Sequence, residues 1–382
     1  MRVMLVGCGG YAALYAQELL QQQAGQMDFV GIVDPYAAQS RVYGDIIARD
    51  IPLYDTMEAF YSEQQADLAI VSTPIALHHA GALACLKNGS HLLLEKPMTA
   101  TVSQAREVVQ AAQVAGRKLG IGFQLCYDPV MLRLKEEIDA GNLGKPVALR
   151  SMVLWQRNHA YYARSGGWAG KRTLADGTPV NDSILTNATA HYLMNMLWLT
   201  TPGFSTQPAL SCQAQLGRAY PIETFDTCAA RYALPAGCDA LIYLSHVAGA
   251  AQEQNPMMEY TFEKGTVRAA YAEGRGGLRV TVTDHAGQER ELGYTHEGVA
   301  MKLKAMIDAV MKDAPLTCPG EAGLASMISN DMVFQHDLAD VETFHPIVDD
   351  GDGIWAPGVG ETLRAAYEDR ALPKEMGKRL QG

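Results

Sequence analysis

The opening stretch constrains the chain most. Residues 2 to 6 are a short apolar run, Gly7-Cys8-Gly9-Gly10-Tyr11-Ala12 follows, and Ala13, Leu14, Ala16, Leu19 and Leu20 then recur at helical spacing. This order predicts strand, glycine turn, helix. Gly7 permits the tight turn, Gly9 lets backbone N–H groups approach a pyrophosphate, and Ala12 lets the helix pack closely on its strand. A phosphate placed there sits on the positive end of the helix dipole. Alone, the pattern is equally that of a tight turn with no ligand. The next apolar run, Phe29 to Val33, adds Asp34, an acid 22 residues after Ala12. A carboxylate there accepts the adenosine ribose hydroxyls and repels a 2'-phosphate, so the expected cofactor is NAD rather than NADP. Arg41 is the one residue nearby that could favour NADP, and it reads equally as a solvated surface cation.

The alternation continues with a helix over about 56–65, a strand Leu68–Val71, a helix over about 76–88, a strand His91–Leu94, a helix over 103–115 and a strand over 119–123. It predicts a doubly wound parallel sheet, a Rossmann domain ending at Gln124. Ligands bind such sheets beyond the carboxyl ends of the strands, which puts the loops Ser72-Thr73-Pro74 and Glu95-Lys96-Pro97 toward the cofactor. The 382 residues exceed what one hydrophobic core organises, so a second domain is expected. Lys and Arg total 31 against 42 Asp and Glu, a net charge of −11 with no basic run, which argues against nucleic acid. No apolar stretch approaches the ~20 residues of a membrane helix, and nothing ahead of Gly7 has room for a signal peptide. The 7 cysteines form no C-x-x-C pair. With no metal-ligand spacing either, the expectation is a cytoplasmic protein with reduced thiols and no metal site.

Gly7-x-Gly9-x-x-Ala12, Thr73-Pro74 with His78, and Glu95-Lys96-Pro97 closing a strand together resemble the family of glucose-fructose oxidoreductase, inositol 2-dehydrogenase and the rhizopine-catabolism proteins. The resemblance implies a lysine presented to the substrate beside the nicotinamide, hence Lys96, and a Lys-Pro peptide that is often cis. An ammonium near a carbinol oxygen stabilises the alkoxide that develops as hydride leaves. The cofactor-facing set is then Gly7, Gly9, Gly10, Tyr11, Ala12, Asp34, Thr73, Pro74, His78, Glu95, Lys96 and Gln124.

From about Tyr127 the pattern changes to a helix over 131–140 and strand-like runs over 147–154, 225–234, 240–246, 259–262, 267–271 and 278–283. Glu263-Lys264-Gly265 and Asp284-His285-Ala286-Gly287 read as hairpins, with glycine supplying a positive φ. This predicts an α+β domain with an open, largely antiparallel sheet over 125–344, its helix 320–338 packing back on the first domain, and a C-terminal extension over 345–382. The extension reads as a solvated tail or a subunit contact, and its Asp349, Asp350 and Asp352 lack the other ligands of a calcium loop. The resemblance implies a homodimer or homotetramer built on the second-domain sheet.

The segment 181–199 predicts a helix capped by Asp182 or Ser183, with Asn187, His191 and Asn195 on one polar stripe. Such a stripe meets substrate hydroxyls or buried protein groups. The resemblance implies Asp, Gly and His where this chain has Asn187, Thr189 and His191. An amide accepts no proton, so His191 with Lys96 is the expected acid-base pair and Asn187 and Asn195 are substrate contacts. The preceding loop, 155–172, is rich in aromatic and cationic residues and reads as a substrate wall led by Trp168 and Lys171, or as a surface loop folded on itself. The expected function is NAD-dependent hydride transfer at a ring hydroxyl or carbonyl of a sugar, inositol or sugar derivative. The alternatives are redox-assisted glycoside cleavage or elimination, and a non-catalytic nucleotide-dependent sensor.

Overall fold

The computed structural model describes residues 1–21, 27–296, 298–378 and 380. It divides into two compact units, Met1–Tyr127 with Gly298–Leu324, and Asp128–Glu297 with Ala325–Gly382.

The first unit is built on strands β1 (Arg2–Val6), β2 (Asp28–Val33), β3 (Leu53–Tyr54), β4 (Leu68–Val71), β5 (His91–Leu94) and β6 (Leu119–Ile121), all parallel, in the order β3-β2-β1-β4-β5-β6. The helices between them cover both faces, which is why Val3, Leu5, Leu68, Ile70, Leu92 and Leu93 are fully buried and these strands read as continuous apolar runs. Strand order reverses between β1 and β4, and such a reversal opens a crevice at their carboxyl ends. Gly7 leaves β1 there at φ +86°, and a Cβ on it would meet the Ser72 carbonyl oxygen at 2.7 Å, so both conformation and space require glycine.

The second unit carries β7 (Pro146–Leu154), β8 (Ser211–Arg218), β9 (Thr227–Ala233), β10 (Asp239–Ser245), β11 (Gln254–Phe262), β12 (Gly265–Ala272), β13 (Gly277–Asp284), β14 (Glu289–Tyr294) and β15 (Leu338–Asp340). They form one nine-stranded sheet in the order β14-β13-β12-β11-β7-β10-β9-β8-β15. Only β10 with β7 and β15 with β8 run parallel. The architecture is thus a Rossmann unit followed by an open, mostly antiparallel α+β unit.

Three features depart from the sequence expectations. Helix Ala300–Lys312, expected in the second domain, places Leu303 and Met306 in the core of the first unit. The first turn of helix Gly320–Val333, a helix expected to pack back on the first domain, also falls in that unit, with Gly323 close to Ile121. Residues 345–382 are not a solvated tail: Ile354, Val359, Leu363, Ala366, Tyr367 and Leu372 share a core with Met152, Leu241 and Tyr243 of β7 and β10. Gly265 does not have a positive φ; glycine is required because a Cβ would meet the Thr283 carbonyl oxygen of β13 at 2.7 Å. Among the described residues no helix is long and apolar enough to cross a membrane.

Candidate functional site

In the first unit, the glycine turn and the end of β2 converge. Asp34 accepts the Cys8 N–H on Oδ2 at 2.8 Å and the Tyr36 N–H on Oδ1 at 2.8 Å. Its carboxylate is therefore fixed against the turn that follows β1. Burial, and after it the Asp34 charge, pushes the Cys8 thiol up to about 12, so it stays protonated beside the carboxylate. Gly9 and Gly10 are exposed, and a Cβ on either would meet nothing within 4 Å, while Ala12 is buried under them at the start of helix Ala12–Gln21. The turn thus presents open backbone at a helix N-terminus. Across the crevice, Thr73 keeps a buried Oγ1 with no hydrogen-bond partner among the described residues. Open glycines, an oriented carboxylate and an orphaned hydroxyl fit a dinucleotide. Tyr11 and Pro74 stand exposed, Gln124 half-buried at the end of the unit, and Arg41 on the surface, where it reaches Gln17.

Two residues assigned to the cofactor do other work. His78 is buried, with Nδ1 at 2.8 Å from the Pro97 carbonyl and Nε2 at 2.9 Å from the Thr73 carbonyl. It ties the loop after β4 to the loop after β5. Burial lowers its pKa against the opposing pull of these carbonyls. Glu95 is also buried: Tyr15 donates to its Oε1 at 2.7 Å, the Lys96 N–H reaches its Oε2 at 3.1 Å, and Lys302 of helix Ala300–Lys312 forms an ion pair with it. Burial raises the carboxyl most, but the Lys302 charge and hydrogen bond, the Tyr15 hydrogen bond and the Lys96 charge together outweigh it and hold the pKa below the usual carboxylate range. Lys302 also lies 3.1 Å from the Tyr11 hydroxyl and over the Tyr11 and Tyr15 rings. Glu95 and His78 are struts rather than cofactor contacts. Between them the half-buried Lys96 leads into a cis Lys96–Pro97 peptide. Sequence reasoning missed Lys302 and Tyr15, since neither carries a motif and only the fold brings helix 300–312 to β5.

In the second unit the expected single helix is broken. Ile184–Ala188 is a π-turn capped by Ser183, whose side chain accepts the Thr186 N–H, and Ala190–Thr200 is the α-helix that follows. Asn187 and His191 therefore belong to different elements. Asn187 donates to Asp182 Oδ1 at 2.8 Å, and Asp182 Oδ2 accepts the Gly170 N–H at 2.7 Å. A buried carboxylate thus stands beside the amide at 187, supplied from five residues upstream. Asn195 is no substrate contact: it is fully buried and accepts the Tyr260 hydroxyl at 2.9 Å. At that end the Asn195 side-chain carbonyl oxygen is met inside the protein, while His191 is half-buried at the helix start. Trp168 is half-buried under the Arg164 guanidinium, 4.9 Å away, and the Lys171 N–H bonds the Trp168 carbonyl at 3.2 Å.

Residues 1–123 match the model of an oxidoreductase family described as having an NAD-binding Rossmann fold. The match covers the first domain. It is 24% identical to an inositol 2-dehydrogenase of Rubrobacter xylanophilus over 86% of this chain and 88% of that one. It is 32% identical to a 1,5-anhydro-D-fructose reductase of Ensifer adhaerens over 37% of this chain and 41% of that one. The fold matches the WlbA dehydrogenase of Bordetella pertussis, solved with NADH and UDP-GlcNAcA, at a TM-score of 0.70 and 21% identity, covering 87% of this chain and 95% of that one. The protein is an NAD-binding oxidoreductase.

Proposed function

We propose that this oxidoreductase transfers hydride between NAD and a ring carbinol or carbonyl of a sugar, an inositol or a sugar derivative. The observation that carries it lies in the first unit, where one sheet edge holds the Asp34-braced glycine turn and the braced Glu95-Lys96-Pro97 loop. Asp34 takes the ribose hydroxyls and the glycine turn takes the pyrophosphate. Bound there, NAD supplies the hydride acceptor or donor. Lys96 polarises the substrate oxygen, and His191 carries the proton that leaves or returns as the carbon changes oxidation state. Asn187, oriented by Asp182, together with Trp168 and Lys171, binds the substrate. The names of the relatives, an inositol dehydrogenase and an anhydrofructose reductase, support this substrate class.

Further elements of the same reading are a cytoplasmic location, supported by seven free cysteines, and a homodimer or homotetramer through the nine-stranded sheet. Light scattering on the eluting protein reads the oligomer directly; a monomer at all concentrations contradicts that part. The activity is tested by following NADH absorbance with purified protein, NAD and a panel of inositols, hexoses and sugar acids, and NADH consumption with the corresponding ketones. Sustained turnover with at least one is expected. Absence of turnover in both directions across the panel contradicts the proposal.

A further inference from the structure

One cleft lies wholly within the second unit, a cavity of about 470 Å³ lined by Gln156, Arg157, Asn158, Tyr161, Asp352 and Trp355. Its volume falls within the ~300–1,000 Å³ of small-molecule sites. One wall is the start of the loop after β7; the other is the acidic turn of the C-terminal segment.

The acidic turn is not free to bind a cation. Asp350 accepts the N–H groups of Asp352 and Gly353 on Oδ1 and the Trp355 indole N–H on Oδ2 at 2.6 Å. Asp349 accepts the Gly351 N–H and faces His159 at 3.3 Å. These carboxylates shape the turn and fix the indole, which is seated on Gly353. The two walls are also tied together: Asn158 donates to Asp352 Oδ1 at 3.2 Å, and the His159 N–H bonds the Asp352 carbonyl at 2.9 Å. The cleft is therefore built in advance of any ligand.

Its one cation among the described residues, Arg157, has no acidic partner there: Nη1 donates to the Gln156 carbonyl at 2.9 Å. Arg157 is held over the rings of Trp155 and Tyr161, 5.3 and 5.0 Å from their centres, and Arg164 lies 3.5 Å from the Tyr161 centre. Among the described residues no carboxylate lies within 4.0 Å of Arg157 or Arg164, and Arg157 Nε is buried without an acceptor. In a chain of net charge −11, an aromatic-braced guanidinium with no acid beside it and a buried Nε left without an acceptor can take an anion.

We propose that this cleft binds a sugar carrying an anionic substituent, a carboxylate or a phosphate. Arg157 takes the anion, the Trp355 indole stacks on the ring, and Asp352 with Asn158 takes hydroxyls. The ligand class rests on the sugar or polyol reading above; the charge is new to it.

The test measures binding by calorimetry to the full chain without NAD, using glucuronate, glucose 6-phosphate, glucose and myo-inositol. At least one anionic sugar binds about tenfold or more tightly than glucose, the factor one charge-assisted contact supplies. The stronger of the two identifies the anion as carboxylate or phosphate. Arg157→Gln abolishes the preference and R157K retains part of it, while W355L weakens charged and neutral sugars alike. Thermal unfolding checks each variant, and if R157Q does not fold, loss of the wild-type preference on raising ionic strength reads the same charge. Equal affinity for glucose and both anions, no binding of either anion, or an R157Q protein that keeps the preference overturns the inference. Because no turnover is measured, a catalytically inactive protein leaves this result standing; conversely, NADH formation from a neutral polyol without any anion preference here sinks the inference alone.

Discussion

The buried Glu95–Lys302 pair sets the strongest expectation at the scale of single residues. Removing one member of a buried ion pair strands the other charge, at about 3–5 kcal/mol. Lys302→Met should therefore lower stability by that order in a denaturant titration, and E95Q combined with K302M should recover much of it. A K302M protein as stable as wild type contradicts the pairing. Asp34 gives a second expectation. Replacing it by Ala removes charge-assisted hydrogen bonds, so NAD affinity measured by calorimetry should fall roughly tenfold to hundredfold while NADP gains relative to NAD. The places of Asp34, the glycine turn and Lys96 were legible in sequence because each sits at a fixed offset from a strand end. The internal partners of His78, Glu95 and Asn195, namely Pro97 and Thr73, Lys302, and Tyr260, were not, because only the fold brings them together.

At the scale of elements, the turn between β8 and β9 carries a buried titration. Asp226 accepts the Ala219 and Tyr220 N–H groups at 2.8 and 2.9 Å, and burial pushes its carboxyl up to about 6. The folded chain therefore holds this proton more tightly than the unfolded one. Its contribution is present below the ordinary carboxylate range and is lost as pH rises through about 6. Comparing unfolding midpoints of wild type and Asp226→Asn from pH 4 to 7, the difference should move in favour of the variant as pH rises; a constant difference contradicts the shift. The main strands were readable from their apolar alternation, but β8 and β14 were not, because their exposed halves are as polar as loops. The break between Ile184–Ala188 and Ala190–Thr200 was hidden because a π-turn keeps an approximately helical spacing of apolar residues.

At the scale of the whole molecule, the chain is not a succession of consecutive domains. Residues 298–324 rejoin the first unit, and the last segment completes the core of the second. Truncation after Phe344 should therefore leave a second unit that no longer unfolds cooperatively, whereas a tail would be dispensable; calorimetry of the truncated chain decides. Amphipathic helices such as Ala300–Lys312 show that a face is buried but not against which sheet, so this return was invisible in one sequence. The central claim is hydride transfer on a substrate whose oxygen Lys96 polarises. The most direct measurement pairs NAD titration with NADH formation for wild type and Lys96→Ala on the best substrate of the polyol panel. The expected result is unchanged NAD affinity with turnover reduced by about 10²-fold or more. A K96A protein that turns over at the wild-type rate contradicts it.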